Sequence, residues 1–228
     1  MLCTANMDWS WLLLTAAAAA AEAADATLPW MDASAPPEAR AAALVAAMNR
    51  TEKLVLLQGA AGPAIGNTAP IERLGVPALR LEDGPNGVAD WQQDVTAFPS
   101  SLTAVASWDV ALVAEYAQAQ AVEQRGKGMH VMLGPGVNLA RVPQGGRNFE
   151  YMGEDPVLAS RMVAAAVRAA QAEGVVACAK HWVNNNHEGP LHNGRLSTSS
   201  VVSERTNYEL YYAPFEAAVQ AGVGSVSK

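Results

Sequence analysis

The sequence predicts an α/β fold built on a parallel sheet, and three observations predict it. Short apolar segments begin near residues 78, 101, 130, 175 and 223, with amphipathic helical segments between most of them, as in successive βα units. Residues 175–179, VVACA, are continuously apolar, the pattern of a strand covered on both faces. The conspicuous polar residues follow the apolar segments directly, and the carboxyl ends of parallel strands are where chemistry gathers in such folds. An open doubly wound sheet and a (β/α)8 barrel both satisfy these observations.

Composition excludes several functions. The 228 residues carry 15 Lys+Arg against 22 Asp+Glu, a formal net charge of −7, with 50% hydrophobic and 16% charged residues. That balance suits a packed core rather than global disorder. Lys and Arg form no run, so the chain is a poor partner for nucleic acid, whose phosphates demand clustered cations. Beyond residue 25 no apolar stretch reaches membrane-spanning length, so no membrane partner is expected.

Taken in order, residues 1–25 read as a secretory signal. The apolar run WSWLLLTAAAAAA at 9–21 is short for a membrane span and is followed by small residues, although no Lys or Arg precedes it. Cys3 would leave with that leader, and Cys178 reads as a buried small hydrophobe. Residues 38–58 have a helical pattern interrupted near Asn49, which opens the sequon Asn49-Arg50-Thr51; Thr51 also reads as a helix N-cap ahead of EKLVLL.

Residues 78–81 form a strand running into the turn DGPNG, and 101–106 read as the next strand. A helix follows at 109–124, with Asp109 as cap and Leu112, Val113 and Tyr116 on one face. A strand at 130–133 ends at Gly134-Pro135-Gly136, and a polar loop covers 138–153. The next helix has Asp155 as cap, Pro156 in its first turn, a stripe of Leu158, Met162, Val163 and Val167, and a stop at Gly174. After the strand at 175–179 come a polar loop at 184–202, a helix at 203–221 and an apolar segment at 223–226.

Three motifs carry chemistry. In LRLEDGPNGV, 79–88, Asp83 stands just beyond a strand, placed either to accept hydrogen bonds from a ligand such as a sugar or to cap its own turn. In GGRNFEYMGEDP, 145–156, Arg147 offers a rigid fork of donors beside Glu150, either for a ligand or as a pair that staples the loop, while GEDP reads as a helix cap. In ACAKHWVNNNHEG, 177–189, Lys180 and His181 close a buried strand. Adjacent strand residues point to opposite faces, so both meet one ligand only if the strand ends there or the backbone is irregular, for example through a cis peptide. The other reading is a strand simply leaving for solvent.

His187, Glu188 and His192 lack the H-E-x-x-H spacing, and Pro190 interrupts a regular helix, which argues against zinc. The strand–GxGxxG–helix grammar, Walker A and G-x-S-x-G patterns are missing. The expectation is therefore no metal and no cofactor.

Read together, EDGPNGV, TAFPSSL, RGKGMHVMLGPGVNLARVPQGGRNFEYMGEDPVL, GVVACAKHWVNNNHE and SERTNYELYYAPFEAAV resemble glycoside hydrolase family 3, most closely its β-glucosidase branch of secreted, fungal-type enzymes. The resemblance runs over about residues 49–226, with the motifs in family order. It implies that residues 26–228 are part of a (β/α)8 N-terminal barrel domain, with about five of eight βα units. It implies retaining hydrolysis of terminal non-reducing β-D-glucosyl residues, on β-glucoside or cello-oligosaccharide substrates. By the same resemblance Asp83, Arg147, Lys180 and His181 bind the non-reducing-end sugar.

A retaining glycosidase needs two carboxyl groups roughly 5–5.5 Å apart. The residues alone nominate Asp83 with Glu150, but the family places its nucleophile in a later S-D-W-type motif and its acid/base further on still. Neither stretch occurs in this sequence, so the expectation is an N-terminal portion that holds sugar and is catalytically silent alone. A non-catalytic sugar-binding protein and a xyloside- or hexosaminide-specific relative are the competing expectations. Ser203 where the family commonly has Asp, the NNNHE ending and Ala89 depart from the family pattern.

Overall fold

A computed structural model describes residues 28–89, 91–189 and 194–228. The expected leader at 1–25 lies outside the described residues. Two compact units emerge, one comprising the residues up to Gly59 with Thr68–Ala78, the other Ala60–Asn67 with Leu79–Lys228.

In the smaller unit, helix α1 (Pro37–Ala47) is followed by the short helix α2 (Arg50–Val55). The break at Asn49 is a capping box: the Asn49 side chain accepts from the Glu52 backbone and the Glu52 carboxylate accepts from that of Asn49, each at 2.9 Å. Asn49, not Thr51, is therefore the N-cap, and Thr51 lies inside the first turn. Met48, Ile71 and Leu74 pack with Trp30 and Leu44 to form this unit's core.

The larger unit contains a five-stranded sheet in the order β1 (Gly66–Asn67), β2 (Arg80–Asp83), β3 (Val131–Leu133), β4 (Val176–Lys180), β5 (Ser225–Ser227). Only β1 is antiparallel to its neighbour. The register aligns Asp83 with Leu133, Met132 with Ala177, and Lys180 with Ser227. Parallel strands laid side by side in chain order, without the reversal a doubly wound sheet requires, select the barrel architecture in incomplete form.

Helices α4 (Val110–Gly126) and α5 (Pro156–Ala172) carry the crossovers β2–β3 and β3–β4. The last crossover is a short turn α6 (Glu204–Thr206), a π-helical turn at Asn207–Tyr211 and α7 (Tyr212–Gln220). Asp109 and Asp155 cap α4 and α5 as expected, each accepting two backbone N–H groups. Strand alternation puts Ala177 and Ala179 into the core formed with Met162, Val163, Val167, Phe215 and Ala218, which leaves Cys178 and Lys180 on the other face. Cys178 is buried, its thiol donating toward Ser225 Oγ at 3.3 Å.

Three further expectations are corrected. Residues 101–106 are not a strand but helix α3 (Ser101–Val105), because Ser100 caps the Thr103 N–H and the buried positions Ser101, Ala104 and Val105 follow helical spacing. On α4, Leu112 is exposed; the buried stripe is Val113, Ala117, Gln120, Ala121 and Gln124. Asp83 proves to be the last residue of β2 rather than its follower. Among the described residues, no helix is long and apolar enough to cross a membrane.

Candidate functional site

All four sequence-predicted residues come together. Asp83 ends β2, Lys180 ends β4 with His181 next, and Arg147 sits between two 3-10 turns (Pro143–Gly145 and Asn148–Glu150) of the loop after β3. They line one cavity of about 820 Å³ at the carboxyl edge of the sheet, shared with Trp182, Asn184, Asn185, His187 and Arg195. The peptide between Lys180 and His181 is cis, one of the irregularities the sequence reading allows for.

Close backbone approach brings the Arg147 loop onto the sheet. Gly136, just past β3, bridges to both Tyr151 and Lys180, and a Cβ there would run into the Glu150 carbonyl. Only glycine fits such a contact. Gln124, buried on α4, donates to the Asp83 carbonyl at 2.6 Å and ties the end of β2 to the helix layer.

The charges form one chain. Lys180 Nζ donates to Asp83 Oδ1 at 2.9 Å and lies 3.1 Å from Glu150 Oε2. Arg147 Nε donates to Glu150 Oε1. Arg147 also lies 3.6 Å from Glu188, whose other oxygen is 3.5 Å from Arg195 Nε. The Lys180 side chain is 4% exposed, and an ammonium so buried persists only when paired. Asp83 is 38% exposed and so remains open to a ligand while paired with it.

Electrostatics follow from this chain. Burial alone would raise the Glu150 carboxyl, but the Arg147 hydrogen bond and the charges of Lys180 and Arg147 outweigh it and hold the group below its ordinary range. Burial would lower the Arg147 guanidinium, yet the hydrogen bond and charge of Glu150 keep it above its ordinary range. His181 is pushed down to about 4 by burial, helped by the nearby charges of Arg147 and Lys180. Its imidazole is neutral at neutral pH.

Beside the charges lies a neutral network. Tyr151, fully buried, has its hydroxyl 3.2 Å from His181 Nδ1, and burial pushes that hydroxyl up to about 12. Asn185 Nδ2 donates to the same hydroxyl at 3.2 Å and to Glu188 Oε1 at 3.1 Å. The asparagine run is braced from outside: Asn184 donates to Asn207 at 3.0 Å, Asn186 to the Tyr211 hydroxyl at 3.0 Å, and Asn138 to the Asn185 carbonyl at 2.9 Å. Asn207 and Tyr211 bound the π-helical turn, which places both side chains against this run.

Chemically, the cavity offers an acceptor and several donors around one concave space, a match for a polyhydroxylated ring. The carboxylate that lines it, Asp83, is engaged by Lys180, and those behind it are engaged too, Glu150 by Arg147 and Lys180 and Glu188 by Arg147 and Arg195. A general acid needs a carboxyl held neutral, and Glu150 is held in the opposite state. The Arg147–Glu150 pair thus staples the loop, while Arg147 itself lines the cavity. Sequence reasoning missed the parts played by Arg195, Tyr151, Asn185 and Glu188. The signal available was their place in loops that leave the ends of β3 and β4. Among the described residues no group of three or more His, Cys, Asp or Glu side chains is gathered to hold a metal; His192 lies outside them.

A family profile described as Glycosyl hydrolase family 3 N terminal domain matches residues 48–228. β-Glucosidase cel3A of Pyricularia oryzae is 41% identical over 212 residues, covering 91% of this chain and 28% of its own. Among solved structures, β-glucosidase D2-BGL from Chaetomella raphigera superposes with a TM-score of 0.77 at 35% identity, over 82% of this chain and 26% of that one. β-Glucosidase 3B from Thermotoga neapolitana, solved in complex with glucose, gives 0.71 at 35% identity, over 78% and 27% respectively. The chain spans less than a third of the length of each of these proteins.

Proposed function

The chain belongs to glycosyl hydrolase family 3, and from that premise we propose that it forms the sugar-holding part of the N-terminal barrel of a secreted, retaining β-glucosidase that acts on β-glucosides or cello-oligosaccharides. The observation that carries this reading is the convergence of Asp83, Arg147, Lys180 and His181 on one cavity from three separate stretches of sequence. Asp83 accepts from sugar hydroxyls, and Arg147, Lys180 and His181 donate to others on the same ring. Hydrogen bonds to a charged partner contribute roughly 1.5–3 kcal/mol each, and those that tighten as the ring flattens aid the transition state. The apolar run at 9–21 followed by small residues supports secretion.

Glu150, held ionised by Arg147 and Lys180, cannot serve as the acid that cleavage needs, so the cavity of this chain binds sugar and does not cleave it. Calorimetric titration of the 228-residue chain with glucose tests the reading. Saturable binding is expected, weakened at least roughly tenfold in Asp83→Ala. A folded, soluble chain that binds no glucose refutes the assignment. Turnover of an aryl β-glucoside well above blank refutes the division of roles.

A further inference from the structure

We propose that Tyr151 is a positioning residue that fixes the tautomer of His181, so that the imidazole meets the cavity as an Nε2–H donor. The sugar-binding reading supplies the use of that donor; the hydrogen-bond geometry around the buried hydroxyl and neutral ring supplies the location of the proton.

The assignment starts at Glu188. A carboxylate flanked by two arginines only accepts, so the Asn185 amide must turn its nitrogen, not its oxygen, toward Oε1 at 3.1 Å. That same nitrogen donates to the Tyr151 oxygen at 3.2 Å and occupies one of its lone pairs. The hydroxyl, pushed up to about 12, keeps its proton and must place it on an acceptor. Two are in reach: His181 Nδ1 at 3.2 Å and the Asn185 carbonyl at 3.5 Å. The carbonyl already accepts from Asn138 at 2.9 Å, and 3.5 Å is long for an O–H···O bond. The tyrosine proton therefore goes to Nδ1, which must be bare. A neutral imidazole has one N–H, and it falls to Nε2.

The consequence is a relay of orientation. Glu188 turns an amide, the amide turns a hydroxyl, and the hydroxyl selects the donating nitrogen of a ring that lines the cavity. Glu188 also lies against Arg147 and Arg195, so one carboxylate aligns both charged and neutral donors.

Long-range proton–nitrogen NMR spectra of the 15N-labelled chain, without ligand at pH 7, read the two ring nitrogens, with His181→Gln supplying the assignment. The expected result is a bare Nδ1 and a protonated Nε2. Tyr151→Phe, which keeps the packed ring and removes the hydroxyl, should give mixed tautomers and about twofold weaker glucose binding, in proportion to the loss of the donating tautomer. Should that variant fail to fold, Asn185→Ala carries the same expectation, and the unsubstituted spectrum already decides. A protonated Nδ1 in the unsubstituted chain, or an unchanged tautomer ratio in Tyr151→Phe, overturns the proposal. The expected tautomer in a chain that binds no glucose supports it and refutes the sugar reading instead.

Discussion

At the scale of single residues, Lys180 and His181 occupy neighbouring positions and face opposite constraints. Lys180 is buried between two carboxylates that accept from it, whereas His181, buried near the cations of Arg147 and Lys180, is neutral. With the folded value about 4 against an ordinary 6.5, the unfolded chain binds the extra proton between those limits, so stability rises with pH across that window. Denaturant titrations should show stability level above pH 6.5 with respect to this group and falling as the pH drops toward 4, with His181→Gln flattening the fall. An identical slope in the variant contradicts the assignment. Glu150 acts in the same direction lower down: its contribution is present above 4.5 and is lost as the pH falls through its depressed folded value. The motifs around Asp83, Arg147, Lys180 and His181 were legible in sequence because polar groups beside apolar strands are conspicuous. Tyr151 and Asn185 were not, since their roles depend on contacts between loops 34 residues apart.

At the scale of elements, legibility tracked locality. The caps of α4 and α5 and the interruption at Asn49 could be anticipated because a cap is a contact over two or three residues, although the cap of α2 proved to be Asn49 rather than Thr51. Strand β1 could not, since Gly66-Asn67 has no apolar signal and is a strand only by pairing with Arg80 and Leu81. Residues 101–105 misled for a related reason: SLTAV fits either period until Ser100 caps it. The π-helical turn at Asn207–Tyr211 likewise has no local sign and is visible only through what it grips. Because Asp155 serves two N–H groups of α5, whose buried face lies at the centre of the core, Asp155→Ala should lower unfolding stability by about 1 kcal/mol, read by urea titration. Asp155→Asn should recover most of it. No loss in the alanine variant would show the cap to be dispensable.

At the scale of the whole molecule, alternating helices and apolar segments predicted a parallel sheet, but only the pairing of strands in chain order chose between the two architectures. Strand order depends on contacts between residues dozens of positions apart, which no local pattern encodes. The same order brings Asp83 and Lys180, 97 residues apart, to one rim. Beneath that rim, Cys178 stands on the pairing of β4 with Ser225 of β5, its thiol raised by burial above the ordinary range and so kept in the unreactive form. Iodoacetamide should therefore leave the Cys178 peptide unmodified in native buffer and mark it at a rate that climbs with denaturant in step with global unfolding; rapid native labelling would show that these two strands part on their own. The sulfur is a built-in stopwatch for the opening of that seam.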